Sequence, residues 1–250
     1  LTTPAAAAGG GARVYQWYVK DLGLEMARPR YRTILFDWIP NQEWPGELWS
    51  AEYDWTVRSG YGERVELLLR YDMRGAPLRI EKQIVMRYDT HYIDVYYTIT
   101  NIGDHRFTIA APWNPKIGFA IEWAGKVFKP RYNFQVWCVN GSIDSQYRGS
   151  REVWGRIEWA GVLGPVDMSG NRYAFGGLRL LGDTVNETRR LWMEAYIGWT
   201  SVQVFFRSVT LQPGESVHYA VRVYGGPFAV GEMTAAGFSG LTSGVIGDLT

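Results

Sequence analysis

The chain has 250 residues with 26 basic and 25 acidic side chains, a net charge of +1, so no electrostatic bias favours nucleic acid as a partner. It holds no run of about 18 or more apolar residues, so no membrane-spanning helix lies within it, and no charged-then-apolar leader opens it. Aromatics reach 15%, with 12 Trp and 16 Tyr, which suits pleated sheets on which flat rings pack.

The start, Leu1 to Gly11, reads as a linker or a processed end of a larger protein. Ala12 to Val19 alternates and reads as a strand, as does Arg30 to Trp38. Ile39 to Gly46 is a loop, because Pro40 and Pro45 forbid regular pairing. Leu48 to Val57 and Arg64 to Tyr71 are further strands, and Asp72 to Gly75 turns the chain into the next. From Leu78 to Ile109 the period of two is clearest. Ile80, Ile84 and Met86 share one face with Glu81, Gln83 and Arg87 opposite. After a turn at Asp89-Thr90-His91, Ile93, Val95, Tyr97 and Ile99 face one way and Asp94, Tyr96, Thr98 and Thr100 the other. Asn101 to Asp104 supplies the next turn.

Phe107 to Ala111 continues the sheet up to Pro112-Trp113-Asn114-Pro115, and Lys116 to Phe128 is apolar with glycines. The polar run Lys129 to Asn133 leads into a strand at Phe134 to Val139. Gly141 to Gly149 reads as a long exposed loop. Glu152 to Val162 and Arg172 to Leu181 are strands bent by glycine, and Thr188 to Trp192 is either a helical turn or a strand lead-in. Val202 to Val209 and Val217 to Tyr224 are strands on either side of a Pro213-Gly214 turn. The tail from Phe228 to Thr250 is a short helix or a linker. About a dozen strands and no convincing helix of ordinary length predict an all-β sandwich over residues 12–227.

Several motifs recur in a known pattern. Gly10-Gly11-x-x-Val14 opens a strand, and Thr100-Asn101-Ile102-Gly103 ends the long strand pair. Leu211-Gln212-Pro213-Gly214-Glu215 precedes a strand that ends in Tyr224-Gly225-Gly226-Pro227, and Glu158 to Leu163 forms a Trp-Ala-Gly-Val strand. This arrangement resembles the large antiparallel β-supersandwich of galactose-mutarotase-like proteins. Within that class it is most similar to the extracytoplasmic domain of YidC-type membrane-protein insertases. The resemblance implies a non-catalytic, cofactor-free domain outside the cytoplasm, tethered to a membrane in the full-length protein. There it would bind or brace translocon components or emerging chains.

The same class includes sugar mutarotases, which need a histidine acid and a carboxylate base on opposite sides of a sugar. Their histidine–aromatic motif would fall at Ala110 to Pro115, where this sequence has none. His91 and His105 lie in turns and His218 in a strand, so surface or structural roles are expected for all three. Asp21 with Glu25 and Glu152 with Glu158 are carboxylate pairs whose default is solvation. No metal-ligand spacing, nucleophile elbow or phosphate loop occurs, and the lone Cys138 is expected to be buried and inert.

A carbohydrate-binding or carbohydrate-processing sandwich is the alternative function. Trp44, Trp49, Trp55 and Trp113 lie in or beside loops, where they could stack on a sugar or contact a partner. A structural cell-surface glycoprotein is a further alternative. It would carry glycans at the sequons Asn140-Gly141-Ser142 and Asn186-Glu187-Thr188.

Overall fold

The computed structural model describes residues 11–27, 34–59, 63–125, 133–167, 172–196 and 199–241. Residues 1–10, 30–33, 126–132 and 242–250 of the segments read above lie outside the described residues. In chain order the described strands are β1 (Tyr18–Val19), β2 (Leu24–Glu25), β3 (Phe36–Trp38), β4 (Asp54–Ser59), β5 (Arg64–Asp72), β6 (Leu78–Arg87), β7 (Tyr92–Asn101), β8 (Phe107–Ile109) and β9 (Ile117–Gly125). They continue as β10 (Phe134–Val139), β11 (Ser142–Tyr147), β12 (Gly149–Trp154), β13 (Ile157–Pro165), β14 (Tyr173–Leu180), β15 (Thr188–Tyr196), β16 (Trp199–Arg207), β17 (Val209–Leu211) and β18 (Ser216–Pro227). One six-residue helix follows, α1 (Val230–Ala235). Among the described residues no helix is long and apolar enough to cross a membrane.

A nine-stranded antiparallel sheet runs β11-β10-β13-β14-β18-β7-β6-β5-β4, and a five-stranded one runs β12-β15-β16-β9-β3. The two stack face to face. Alternation places Leu78, Ile80 and Ile84 of β6 and Ile93, Val95, Tyr97 and Ile99 of β7 in the layer between them. There they meet Phe119, Ile121 and Trp123 of β9 and Val202 and Val204 of β16. Each such side chain contributes about 1.5–3 kcal/mol on burial. Gly176 lets the sheets close on Trp123, since a Cβ there would lie 2.1 Å from the indole.

Lys82 occupies the one place in the β6 core series that an apolar residue would be expected to fill. It is fully buried and ion-paired to Asp37, which β3 of the smaller sheet aims inward. The Tyr97 hydroxyl donates to Asp37 Oδ1 at 2.8 Å, and Lys82 Nζ reaches the Ala12 carbonyl at 3.3 Å. The interior thus holds a charged tie between its two layers.

Several segments differ from their sequence reading; Glu152 to Val162, for one, is split between β12 of the small sheet and β13 of the large one, and Val202 to Val209 breaks at Ser208 between β16 and β17. Gly141 to Gly149 is not a loop. Asn140-Gly141 makes a tight hairpin turn, with both φ angles positive, and β11 pairs with β10 along its whole length. The segment reads as polar because β11 is an edge strand wetted on both faces. Arg148 and Gly149, at φ +50° and +90°, then turn the chain from the large sheet into the small one. Leu48 to Val57 is a strand only from Asp54. Glu47–Trp49 is a 3-10 turn that buries Leu48, and the Glu47 carboxylate accepts bonds from the Tyr71 hydroxyl at 2.6 Å and the Gly75 amide at 2.8 Å. In Ala12 to Val19 only Tyr18–Val19 pairs as a strand, while Val14 makes a single bridge to Ile34.

Beyond Pro227 the chain packs back on the outer face of the large sheet. Met233, Ala236, Phe238 and Leu241 cover Val136, Cys138, Trp159, Phe175 and Tyr224. Left-handed Gly237 closes the helix, with the Phe238 amide bonded to the Met233 carbonyl at 2.8 Å. Among the described residues nothing packs over the other half of that outer face, from β18 to β4.

Candidate functional site

The smaller sheet turns a ribbon of aromatic residues outward. Its register sets Trp154 opposite Arg190, Arg190 opposite Phe205, Phe205 opposite Ala120, and Ala120 opposite Trp38. One residue from each of five strands therefore stands in a single row, about 4.8 Å apart. Ala120 leaves room for Trp38 and Phe205 to meet edge to face at 6.3 Å. Beyond Trp38 the ribbon continues through Phe36 to Trp49 at 5.3 Å and on to Trp44 at 6.2 Å.

Arg190 sits in an aromatic cage. Its guanidinium carbon lies 4.9 Å from the Phe205 ring centre, 5.4 Å from Trp192, 5.5 Å from Trp113 and 5.7 Å from Trp154. Its Nε contacts Glu152 Oε1 at 2.7 Å. Burial lowers the Arg190 pKa, and the charge of Glu152 pulls it back. The arginine is nearly sealed, at 13% side-chain exposure, while Glu152 keeps 37%. Trp113 and Trp154 stand half-exposed over the pair, at 54% and 43%.

The Trp113 loop is braced. The Ala111 amide bonds to the Ile117 carbonyl at 2.7 Å, and the Lys116 amide to Asn114 Oδ1 at 3.1 Å. Asn41 clamps the same loop, donating to the Thr108 carbonyl at 3.0 Å and accepting from the Ala110 amide at 3.1 Å. Two flat apolar platforms are thus held in place beside a charge-balanced pair. Such a surface can stack on the apolar face of a sugar ring while the accessible Glu152 carboxylate accepts from its hydroxyls.

The four tryptophans read from sequence are not one site. Trp113 belongs to the cage. Trp44 is half-exposed at the far end of the ribbon, and Trp49 is packed inward against Phe36 under the Arg13 guanidinium, 4.0 Å from its ring. Trp55 lies on edge strand β4 of the other sheet. Asn140 and Asn186 are both exposed, the first accepting the Arg156 amide at 3.0 Å. Trp154, Arg190 and Trp192 are not among the candidate residues read from the sequence, and Glu152 was read only as half of a solvated carboxylate pair. The signal was a polar–apolar alternation in Glu152-Val153-Trp154 and Arg190-Leu191-Trp192, which sets each pair on one pleat.

The carboxylate pairs do not face across a cleft. Glu152 is bound to Arg190, and Glu158 to Arg156 at 2.9 Å and to the Cys138 thiol at 3.2 Å. Burial and that carboxylate push Cys138 up to about 12, so the thiol is protonated at neutral pH. His218 bonds to the Thr98 hydroxyl on the open outer face of the large sheet, at 3.1 Å. Two shallow hollows of about 520 and 670 Å³ lie on that face and share Tyr96 and Thr98. His91 contacts Glu232 at 3.0 Å and ties α1 to the β6–β7 turn. Among the described residues no three metal-ligating side chains cluster.

No protein-family model matches the chain, and no curated protein matches its sequence. Solved structures do match in fold. A TPR-domain containing protein from Parabacteroides distasonis superposes with a TM-score of 0.61 at 9% identity, over 86% of this chain. The match spans only 43% of that protein's length. A galactose mutarotase-like protein from Lactobacillus casei matches with a TM-score of 0.57 at 13% identity, over 86% of this chain and 94% of its own. A galactose mutarotase related enzyme from Lactobacillus acidophilus gives 0.57 at 9% identity, over 86% and 91%. None of these matches links the chain to membrane-protein insertases. The chain has the galactose-mutarotase-like β-sandwich fold.

Proposed function

We propose that this chain is a carbohydrate-binding β-sandwich that holds a sugar against Trp113 and Trp154 and does not transform it. The observation that carries the reading is the pair of half-exposed indoles beside the caged Arg190–Glu152 pair. Its charge balance favours a neutral sugar over an acidic one. The likeness in fold to proteins named for galactose mutarotase supports the same class of ligand. In this reading the domain works outside the cytoplasm, where Asn140 and Asn186 would themselves carry glycans.

A glycan array of neutral and acidic oligosaccharides tests the proposal. The wild type is expected to retain neutral sugars, and Trp154→Ala to lose about tenfold or more in affinity, as for other tryptophan anchors. Absence of binding to every sugar class refutes it. The narrower insertase-type reading, in which the domain braces translocation partners, rests on the sequence motifs alone. It predicts no sugar binding and no effect of Trp113→Ala or Trp154→Ala.

A further inference from the structure

The large sheet ends at β4, where every side chain from Asp54 to Arg58 is exposed. Among the described strands β4 pairs with β5 alone, in unbroken register. Sheet edges are normally blunted by charged side chains, proline or a bulge, because free amides and carbonyls recruit further strands. Asp54 to Arg58 has no proline and no bulge, and its two charges, Asp54 and Arg58, are of opposite sign. One pleat carries Trp55 and Val57, each 48% exposed, and neighbouring Val65 adds a residue at 38%. Among the described residues an apolar strip therefore runs along an open hydrogen-bonding edge.

The order of residues on that edge is self-complementary. Laid antiparallel on a second copy about Thr56, Asp54 faces Arg58, Trp55 faces Val57, and Thr56 faces itself. Opposite charges and an aromatic beside a β-branched residue are favourable cross-strand pairs. A slip of one residue would set the apolar pleat against the polar one. The pairing is two-fold symmetric and closes on itself as a dimer.

We propose that β4 pairs with β4 of a second copy, joining two nine-stranded sheets into one across a two-fold axis at Thr56. Trp55, Val57 and Val65 of both copies then share one apolar strip on the side of the smaller sheets. Two Asp54–Arg58 pairs close the opposite side. This inference is independent of the sugar reading.

Sedimentation equilibrium over a concentration series tests it. The wild type approaches twice the mass of the chain as concentration rises. Asp54→Arg alone, or Arg58→Asp alone, sets like charges opposite each other at both ends and weakens association at least tenfold. The double exchange Asp54→Arg with Arg58→Asp restores it, which a mere folding defect would not do. Thr56→Cys forms a covalent dimer on oxidation, because directly opposed residues sit about 4.5–5.5 Å apart, within disulfide range. The native Cys138 is buried. A single-chain mass at every concentration overturns the proposal. So does a dimer indifferent to either single exchange, or a monomer that takes an added extended peptide on β4 instead.

Discussion

Lys82 and Arg190 each sit among aromatic rings beside a carboxylate, and they differ in their access to water. Lys82 lies between the sheets, 5.4 Å from the Tyr53 ring and 5.5 Å from Tyr97, with Asp37 as its partner. Both ions are sealed from solvent. Burial pushes the Asp37 carboxyl up and the Lys82 ammonium down, and each charge holds the other partly in place. Arg190 has the same kind of surroundings at the surface, where Glu152 keeps contact with water. The interior pair serves to lock β3 onto β6. The surface pair leaves hydrogen-bonding capacity for a ligand. What separates the two roles is the layer above them: a second sheet in one case, two half-exposed indoles in the other.

The largest effect should come from breaking the interior pair. Asp37→Ala leaves a buried ammonium without its counter-charge and is expected to cost about 3–5 kcal/mol in urea unfolding. Replacing the group together (Lys82→Met, Asp37→Leu and Tyr97→Phe) should recover most of that loss, since an apolar core of similar volume has no charges to desolvate. Neither change should alter sugar affinity in the folded protein. Arg190→Ala is the matched test at the surface. Glu152 can hydrate, so the stability cost should be about 1–2 kcal/mol, mostly lost packing against the rings. Sugar affinity should fall with it. A cost equal to that of Asp37→Ala would erase the distinction between the two pairs.

The smallest effect concerns acid. Burial raises the Asp94 pKa, but hydrogen bonds from Arg222 at 2.7 Å and Arg87 at 2.7 Å outweigh it, and the net direction is down. A carboxyl held below its unfolded value contributes stability that is present above about pH 4 and lost as pH falls through its folded value. Asp37, shifted up, has the opposite sign and adds no such loss. Urea midpoints between about pH 5 and pH 2 should therefore fall less steeply in Asp94→Asn than in the wild type. An unchanged slope would show that Asp94 is not ion-paired in solution.

Much of the sandwich was legible because one-sided burial writes itself as alternation. β6, β7 and β18 carry it plainly, and the Pro213-Gly214 turn separates β17 from β18. Where both faces meet the same medium the signal vanishes. β11 is wet on both sides and reads as a loop, and β9 is buried throughout and reads only as an apolar run. The cage was not legible for a different reason. Trp154 and Arg190 are far apart in sequence and meet through the β12–β15 register, which no local pattern specifies. Trp49 misled in the other direction, since a loop tryptophan can as readily fold inward as out. Lys82 stood in the sequence as a gap in the core face, and nothing local announced Asp37 as its partner.

The central claim, that Trp113 and Trp154 form the sugar platform, is met most directly by calorimetric titration of the best-retained oligosaccharide against the wild type and the Trp113→Ala/Trp154→Ala double variant, with thermal melts of both. The account predicts a saturable heat for the wild type, none for the double variant, and melting temperatures within a few degrees of each other. Equal binding by the two proteins would contradict it.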